Sequence, residues 1–220
     1  MKIGVLGATG PAGSALAVRL ASVGYDVIVG SRSKYKALEV RDKLCERWSD
    51  RDLNIEAGAN DVAAEDSDVV VIATPWDAAS ATAASVAKQV EGKVVISMAN
   101  ALVRVLNEFQ PLVPPRGSVA SNVQAAIPRS YVAAAFHHVP AKELGDLGEP
   151  VAFDVLVCSD HASATNTTCD IIRRIPGMRP LDAGELSNAA PIEAFTAVLL
   201  QLNVRYKTRA AIKLTGIGVE

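Results

Sequence analysis

Aromatic side chains are scarce in this chain, at 5% of 220 residues, although half of all residues are hydrophobic. The core therefore has to be assembled from Ala, Val, Ile and Leu, the composition of α/β proteins whose small helices pack tightly on a sheet. Length sets a second limit: the chain suffices for one well-buried unit, with or without an appendage, and is too short for two full-sized domains. Excess charge is missing as well. A formal net charge of -2 carries none of the basic bias of nucleic-acid-binding domains, so any basic cluster needs a local explanation. Only three cysteines occur, Cys45, Cys158 and Cys169. Odd in number, without a C-x-x-C spacing and set in apolar surroundings, they read as buried free thiols of a reducing compartment, not as a disulfide framework or a zinc site.

Long hydrophobic runs are absent, and no segment approaches the length of a membrane span. The apolar start is interrupted by Gly4, Gly7, Gly10, Pro11 and Gly13 and closed by Arg19, so the h-region of a signal peptide is not expected. The expectation is a soluble cytoplasmic protein without nucleic-acid or membrane partners. Several catalytic signatures are also missing: no Y-x-x-x-K pair, no H-x-x-x-H or H-E-x-x-H spacing and no G-x-S-x-G elbow occurs. The acid pair of short-chain dehydrogenases, a metal centre and a serine nucleophile are thereby left without their residues.

What is present is an alternation of strand and helix patterns. KIGVLG (2–7), YDVIVG (25–30), LNIEAG (53–58), DVVVIATP (68–75) and KVVISMAN (93–100) read as strands, and the segments from 14, 36 and 78 onward as helices. Beyond a Pro-rich loop at 111–117, a short helix ends at Pro128. A strand over YVAAAFHHVP, another over 153–160, a helix over 161–175, a short strand at 179–184 and a last helix near Pro191, capped by Ser187 or Asn188, complete the chain. This order implies an α/β fold, a Rossmann-like doubly wound parallel sheet with a small C-terminal α/β extension. Residues 1–130 are expected to form the dinucleotide-binding domain and 131–220 the C-terminal part.

Ligands of such sheets bind beyond the carboxyl ends of the strands, and four such ends carry chemistry. The first is the glycine run Gly7, Gly10, Gly13 between strand and helix, where backbone N–H groups can approach a pyrophosphate. The second is GSRSKYK, where an NAD-binding unit places an acid about 20 residues past the glycines. Here Ser31, Arg32, Lys34 and Lys36 stand instead. A guanidinium, a hydroxyl and a lysine suit the 2′-phosphate of NADP(H), and two charged hydrogen bonds at about 1.5 to 3 kcal/mol each favour it over NAD(H) by about a hundredfold or more. The third end offers Thr74, Pro75 and Trp76 to the ribose and nicotinamide, and the fourth Ser97 and Asn100. The pair His137 and His138, read in a strand, should point to opposite faces, so that at most one, His137, meets a ligand.

The runs GVLGATGPAG, VIVGSR, ATPW, AFHHVPA, DVLVCSD, RPLDAGELSNA and AAIKLTGI together resemble the NADPH-dependent reductases of the deazaflavin coenzyme F420, over nearly the whole chain. The resemblance implies reversible hydride transfer between C4 of the nicotinamide and C5 of the deazaflavin, in a homodimer. Two stacked cofactors supply the reactivity there, which accounts for the missing proton relay. It further implies that Thr9, Gly10, Pro11, Ala12 and Gly13 hold the pyrophosphate, and Ser31, Arg32 and Lys36 the 2′-phosphate. His137, Val139 and Ala210 or Ala211 are implied to lie by the deazaflavin, with residues 131–220 completing that pocket and the dimer contacts. Ala8 departs from the glycine common in the family, and Arg104, Arg116 and Arg129 are candidates for the coenzyme's anionic tail. Two other readings fit the first motifs alone: a non-catalytic NADPH-binding sensor, and a reductase of another flavin, a quinone or a metal chelate.

Overall fold

The alternation of apolar residues along each strand has two destinations, and the sheet is built between them. In the computed structural model, which describes residues 1–218, Ile3, Val5, Val27, Val29, Val69 and Val71 point to one face. Leu6, Ile28, Val70, Ile72 and Val95 point to the other, as the two-residue period of a strand requires. The strands are β1 (Lys2–Leu6), β2 (Asp26–Ser31), β3 (Ile55–Ala59), β4 (Val69–Ile72), β5 (Val94–Ser97), β8 (Tyr131–Ala134), β9 (Asp154–Ser159) and β10 (Arg179–Asp182). Their order in the sheet is β10-β9-β8-β5-β4-β1-β2-β3. From β3 to β8 every pairing is parallel. Strand β9 runs antiparallel to β8, with Ala133 opposite Ser159, and β10 follows β9 in parallel.

Small residues let the helices approach. Helix α1 (Pro11–Ser22) and helix α7 (Ala162–Arg173) cover the first face through Leu16, Leu20, Ile171 and Ile172, with α2 (Lys34–Arg47) at its edge. Helices α3 (Asn60–Glu65), α4 (Trp76–Ser85) and α5 (Val119–Ala126) cover the second through Ala63, Ala79, Ala83 and Val123. The short helix α6 (Ala141–Leu144) is tied to α1 by the buried Arg19, which donates to the main-chain oxygens of Leu144 and Asp146. Helix α8 (Ala189–Tyr206) runs against α5 and the hairpin of β6 (Leu102–Val105) and β7 (Glu108–Pro111). Among the described residues no helix is long and apolar enough to cross a membrane.

Two elements appear for which the sequence carried no expectation, and two expectations are corrected. The acidic segment after β3 forms α3 because Ala63 and Ala64 can pack beneath the sheet. The hairpin β6 and β7 has no buried face, Val103 and Val105 being exposed, and so leaves no burial pattern in the sequence. Helix α8 begins at Ala189, and no side chain caps it; Asn188 donates instead to the Ala183 carbonyl at 2.6 Å. The two histidines lie past the end of β8 in a turn, and both are buried, so the opposite-face argument does not apply to them. Of the cysteines, Cys158 and Cys169 are buried and Cys45 is half-buried.

Candidate active site

A tight turn after β1 sets up the first wall of the site. Gly7 has φ 81°, and a Cβ there would stand 2.6 Å from the Thr74 methyl; one on Gly13 would stand 2.8 Å from the Ala8 Cα. Both positions need glycine for the protein's own packing. Gly10 does not: its φ of -86° is ordinary, and a Cβ there would meet only the Gly7 carbonyl, at 3.8 Å. The space it leaves belongs to the cleft. Gly10 is the residue before α1, no side chain caps that helix, and Pro11 takes its first position. The N–H groups of Ala12 and Gly13 thus have no intrahelical acceptor, at the positive end of the helix dipole. A helix start of this kind suits a diphosphate. Ala8, fully buried under Gly13, leaves it open.

The cleft beside it, about 880 Å³, is lined by Gly7, Thr9, Gly10, Ser31, Arg32, Lys36, Thr74 and Pro75 among others. Arg32 and Lys36 are exposed, and Lys34 is exposed but does not line the cleft. Ser31 is buried, and its hydroxyl oxygen lies 3.3 Å from the Ser33 N–H, itself on the cleft wall. The end of β2 thus presents two cations and two hydroxyls to the cleft. The cleft's carboxylate, Asp77, lies across it in the first turn of α4.

Sequence reasoning missed part of this wall. Asn60, at the end of β3, lines the cleft, and its Oδ1 is buried without a hydrogen-bond partner. Ala78, Ala81, Thr82 and Ser85 line it from α4. Their helical spacing of small residues was the available signal. The Thr74 hydroxyl is likewise buried and unpartnered, a polar atom facing a space that a ribose or a carboxamide suits.

The remaining candidates gather at the carboxyl ends of β5 and β8 or lie apart. Trp76 begins α4, partly exposed, and does not line the cleft. Ser97 is fully buried with its hydroxyl unpartnered. Asn100 donates through Nδ2 to the His137 carbonyl at 2.8 Å, and half-buried Val139 donates its N–H to Phe136 O at 3.2 Å. The imidazole of His137 is wholly enclosed, with 0% exposure and neither ring nitrogen bonded. Burial, helped by neighbouring His138, lowers its pKa to about 3, so it is neutral. Its Nε2 lies 3.9 Å from Oε1 of Glu193, whose pKa burial pushes up to about 7 against the pull of two backbone N–H bonds. With His137 neutral, this contact is not an ion pair.

Ala210 and Ala211 lie outside the cleft. Ala210 donates its N–H to Asn203, and Ala211 lines a separate apolar groove of about 510 Å³ with Phe195 and Leu199. That groove is held by the C-terminal tail: Asp154 donates its N–H to Ile212 O at 2.9 Å, and Arg179 grips Asp154 at 2.6 and 2.9 Å. Of the arginines considered for an anionic tail, Arg129 stands just before β8, at the amino end of the parallel strands, paired with Glu91 at 3.0 Å.

Residues 2–101 match the family model described as NADP oxidoreductase, coenzyme F420-dependent. The F420-dependent NADP reductase of Methanocaldococcus jannaschii is 36% identical over 224 residues, covering 100% of both chains. The chain belongs to this family. The F420-dependent NADP reductase of Methanothermobacter marburgensis is 35% identical, over 99% of each chain. The solved structure of a putative F420-dependent NADP reductase from Arthrobacter sp. superposes with a TM-score of 0.80 at 24% identity, over 95% of this chain and 96% of that one. That likeness shows a shared fold over nearly the whole chain.

Proposed function

We propose that the protein exchanges a hydride reversibly between NADP(H) and the deazaflavin coenzyme F420, with the cleft as the NADP(H) site. The observation that carries this reading is the end of β2: Ser31, Arg32 and Lys36 face the cleft where an NAD enzyme needs a ribose-binding acid. Full-length similarity to F420-dependent NADP reductases supports the second substrate.

In this reading the uncapped N-terminus of α1 holds the diphosphate through the N–H groups of Ala12 and Gly13, with Thr9 and Gly10 beside it. Arg32 forms the paired hydrogen bonds to the 2′-phosphate, Lys36 adds a point charge and Ser31 a hydroxyl. Thr74 and Pro75 border the nicotinamide half, with Trp76 at its rim, and Ser97, Asn100, His137 and Val139 form the wall next to it. When both coenzymes are bound, NADPH, oxidised F420 and one proton give NADP⁺ and reduced F420. The chain's task is alignment and exclusion of water. His137 serves it through its carbonyl and its bulk, since its ring is enclosed.

Residues 131–220 complete the deazaflavin side, and the assembly is a homodimer formed over α8, whose Phe195 and Val198 are 44% and 48% exposed. Ala210 and Ala211 then line the seam by that helix. The test is an anaerobic assay with NADPH and a panel of F420, flavin mononucleotide, a quinone and a ferric chelate. Turnover confined to F420 supports the reading, and turnover with another acceptor but not F420 contradicts it. Light scattering of the eluting peak checks the dimer.

A further inference from the structure

One buried ionisable side chain has no part in the roles above. Glu193, in the second turn of α8, is 4% exposed, and buried carboxylates are rare without partners. Its partners lie on another helix. Oε2 accepts from the Val119 N–H at 2.8 Å and Oε1 from the Ala120 N–H at 3.1 Å, in the first turn of α5, where a helix cannot satisfy its own donors. The α5 cap residue, Ser118, takes the Ser121 N–H instead. Glu193 thus completes the capping of α5 from a distance of 74 residues along the chain.

The same face of α8 meets the turn after β8. Glu193 Oε1 lies 3.9 Å from His137 Nε2. One turn further on, the Thr196 hydroxyl lies 3.3 Å from Asn100 Oδ1 and 3.5 Å from the His137 carbonyl, which also accepts from Asn100 Nδ2 at 2.8 Å. That turn is strained: Phe136, 2% exposed, has φ 65°. A buried aromatic residue holds the left-handed conformation only where its surroundings enforce it.

We infer that Glu193 is a positioning residue for hydride transfer, locking the first turn of α5 and the strained turn at the tip of β8 into one rigid wall of the site. The inference rests on the proposed exchange between NADP(H) and F420. The wall is four strands away from β2 in the sheet, about 19 Å at the usual strand spacing. Loss of Glu193 therefore loosens alignment at the reacting end and leaves the grip of Ser31, Arg32 and Lys36 on the cofactor intact.

The experiment compares full-length wild type with Glu193→Ala, Glu193→Gln and Thr196→Val. It measures NADPH dissociation by fluorescence, kcat for F420 reduction, and the kinetic isotope effect with NADPH deuterated at C4. In Glu193→Ala, kcat is expected to fall roughly tenfold or more, because small misplacements are costly in hydride transfer, while NADPH affinity holds and the isotope effect rises. Glu193→Gln, which keeps the length and one acceptor, recovers most of the rate. A folded Glu193→Ala protein with wild-type kcat overturns the inference, as does a loss of NADPH affinity in step with kcat. Should Glu193→Ala fail to fold, Thr196→Val carries the same expectation through the neighbouring contact, and an unchanged kcat in it overturns the inference. Wild-type protein that binds NADPH but exchanges no hydride with F420 overturns the proposed function together with the inference. Exchange in wild type with unaltered variants overturns the inference alone.

Discussion

His137 Nε2 and Glu193 Oε1 face each other at 3.9 Å, both side chains almost completely buried. Their shifts act on stability in opposite senses. The folded protein holds His137 at about 3 against an ordinary 6.5, so the unfolded chain takes up a proton on acidification that the folded one refuses, and stability falls. It holds Glu193 at about 7 against an ordinary 4.5, so the folded chain keeps a proton that the unfolded one has lost, and stability rises on acidification. Between pH 4.5 and 6.5 the two slopes, each about 1.4 kcal/mol per pH unit, offset one another.

Glu193→Gln removes one side of that balance. Across this window the variant should lose about 3 kcal/mol on acidification relative to wild type, a melting temperature lower by roughly 5 to 10 °C. His138 and Asp154, whose shifts are present in both proteins, drop out of the difference. Parallel pH profiles of the melting temperature contradict the assignment.

Arg32→Ala removes the guanidinium from the end of β2. One or two charged hydrogen bonds at about 1.5 to 3 kcal/mol each are lost, so the NADPH dissociation constant should rise about tenfold to a hundredfold or more. NADH binding should change little, and kcat at saturation should be retained. Equal weakening of both nucleotides excludes a contact with the 2′-phosphate.

Gly13→Ala places a methyl 2.8 Å from the Ala8 Cα and 3.0 Å from the Ala73 Cβ. Overpacking of this kind costs about 1 to 3 kcal/mol, or roughly 2 to 12 °C in melting temperature. The shift of α1 that relieves it should weaken NADPH and NADH alike, in contrast to Arg32→Ala. Isothermal titration with both nucleotides separates the two patterns.

Arg179 holds Asp154 and accepts the tail into the same grip, donating to the carbonyls of Leu214 and Ile217 at 2.6 and 3.0 Å. The hydrogen bond from Arg179 keeps the Asp154 carboxyl below its ordinary pKa, so its contribution is full above that ordinary value and fades as pH falls through the folded one. Arg179→Ala leaves the Asp154 carboxylate without its cation and should lower the melting temperature. Amide exchange at residues 212–217 should accelerate first. Unchanged exchange there means that the tail is held by other contacts.

The glycine turn and the cations after β2 were legible because each is a local pattern, read between one strand and the next helix. The sheet was legible because its inner strands, such as β1, β2, β4 and β5, are buried on both faces and form continuous apolar runs. Glu193 was not, since its partners Val119, Ala120 and His137 are brought to it only by the packing of α8 on α5. The enclosure of His137 escaped for the same reason: a histidine pair reads alike whether a helix covers it or a ligand does. Asn60 lies at a strand end, where a ligand contact is always a candidate, but the acidic segment it opens is too short for a helical period to show, and α3 left no signal there.

The central claim is direct hydride exchange between the two coenzymes. Single turnover with each C4 epimer of deuterated NADPH and oxidised F420, under anaerobic conditions and read by mass spectrometry, tests it most directly. The account predicts that one epimer delivers its deuterium to C5 of the reduced deazaflavin, with no label entering from deuterated water. Bleaching without label at C5, or NADPH binding with no bleaching at all, contradicts it.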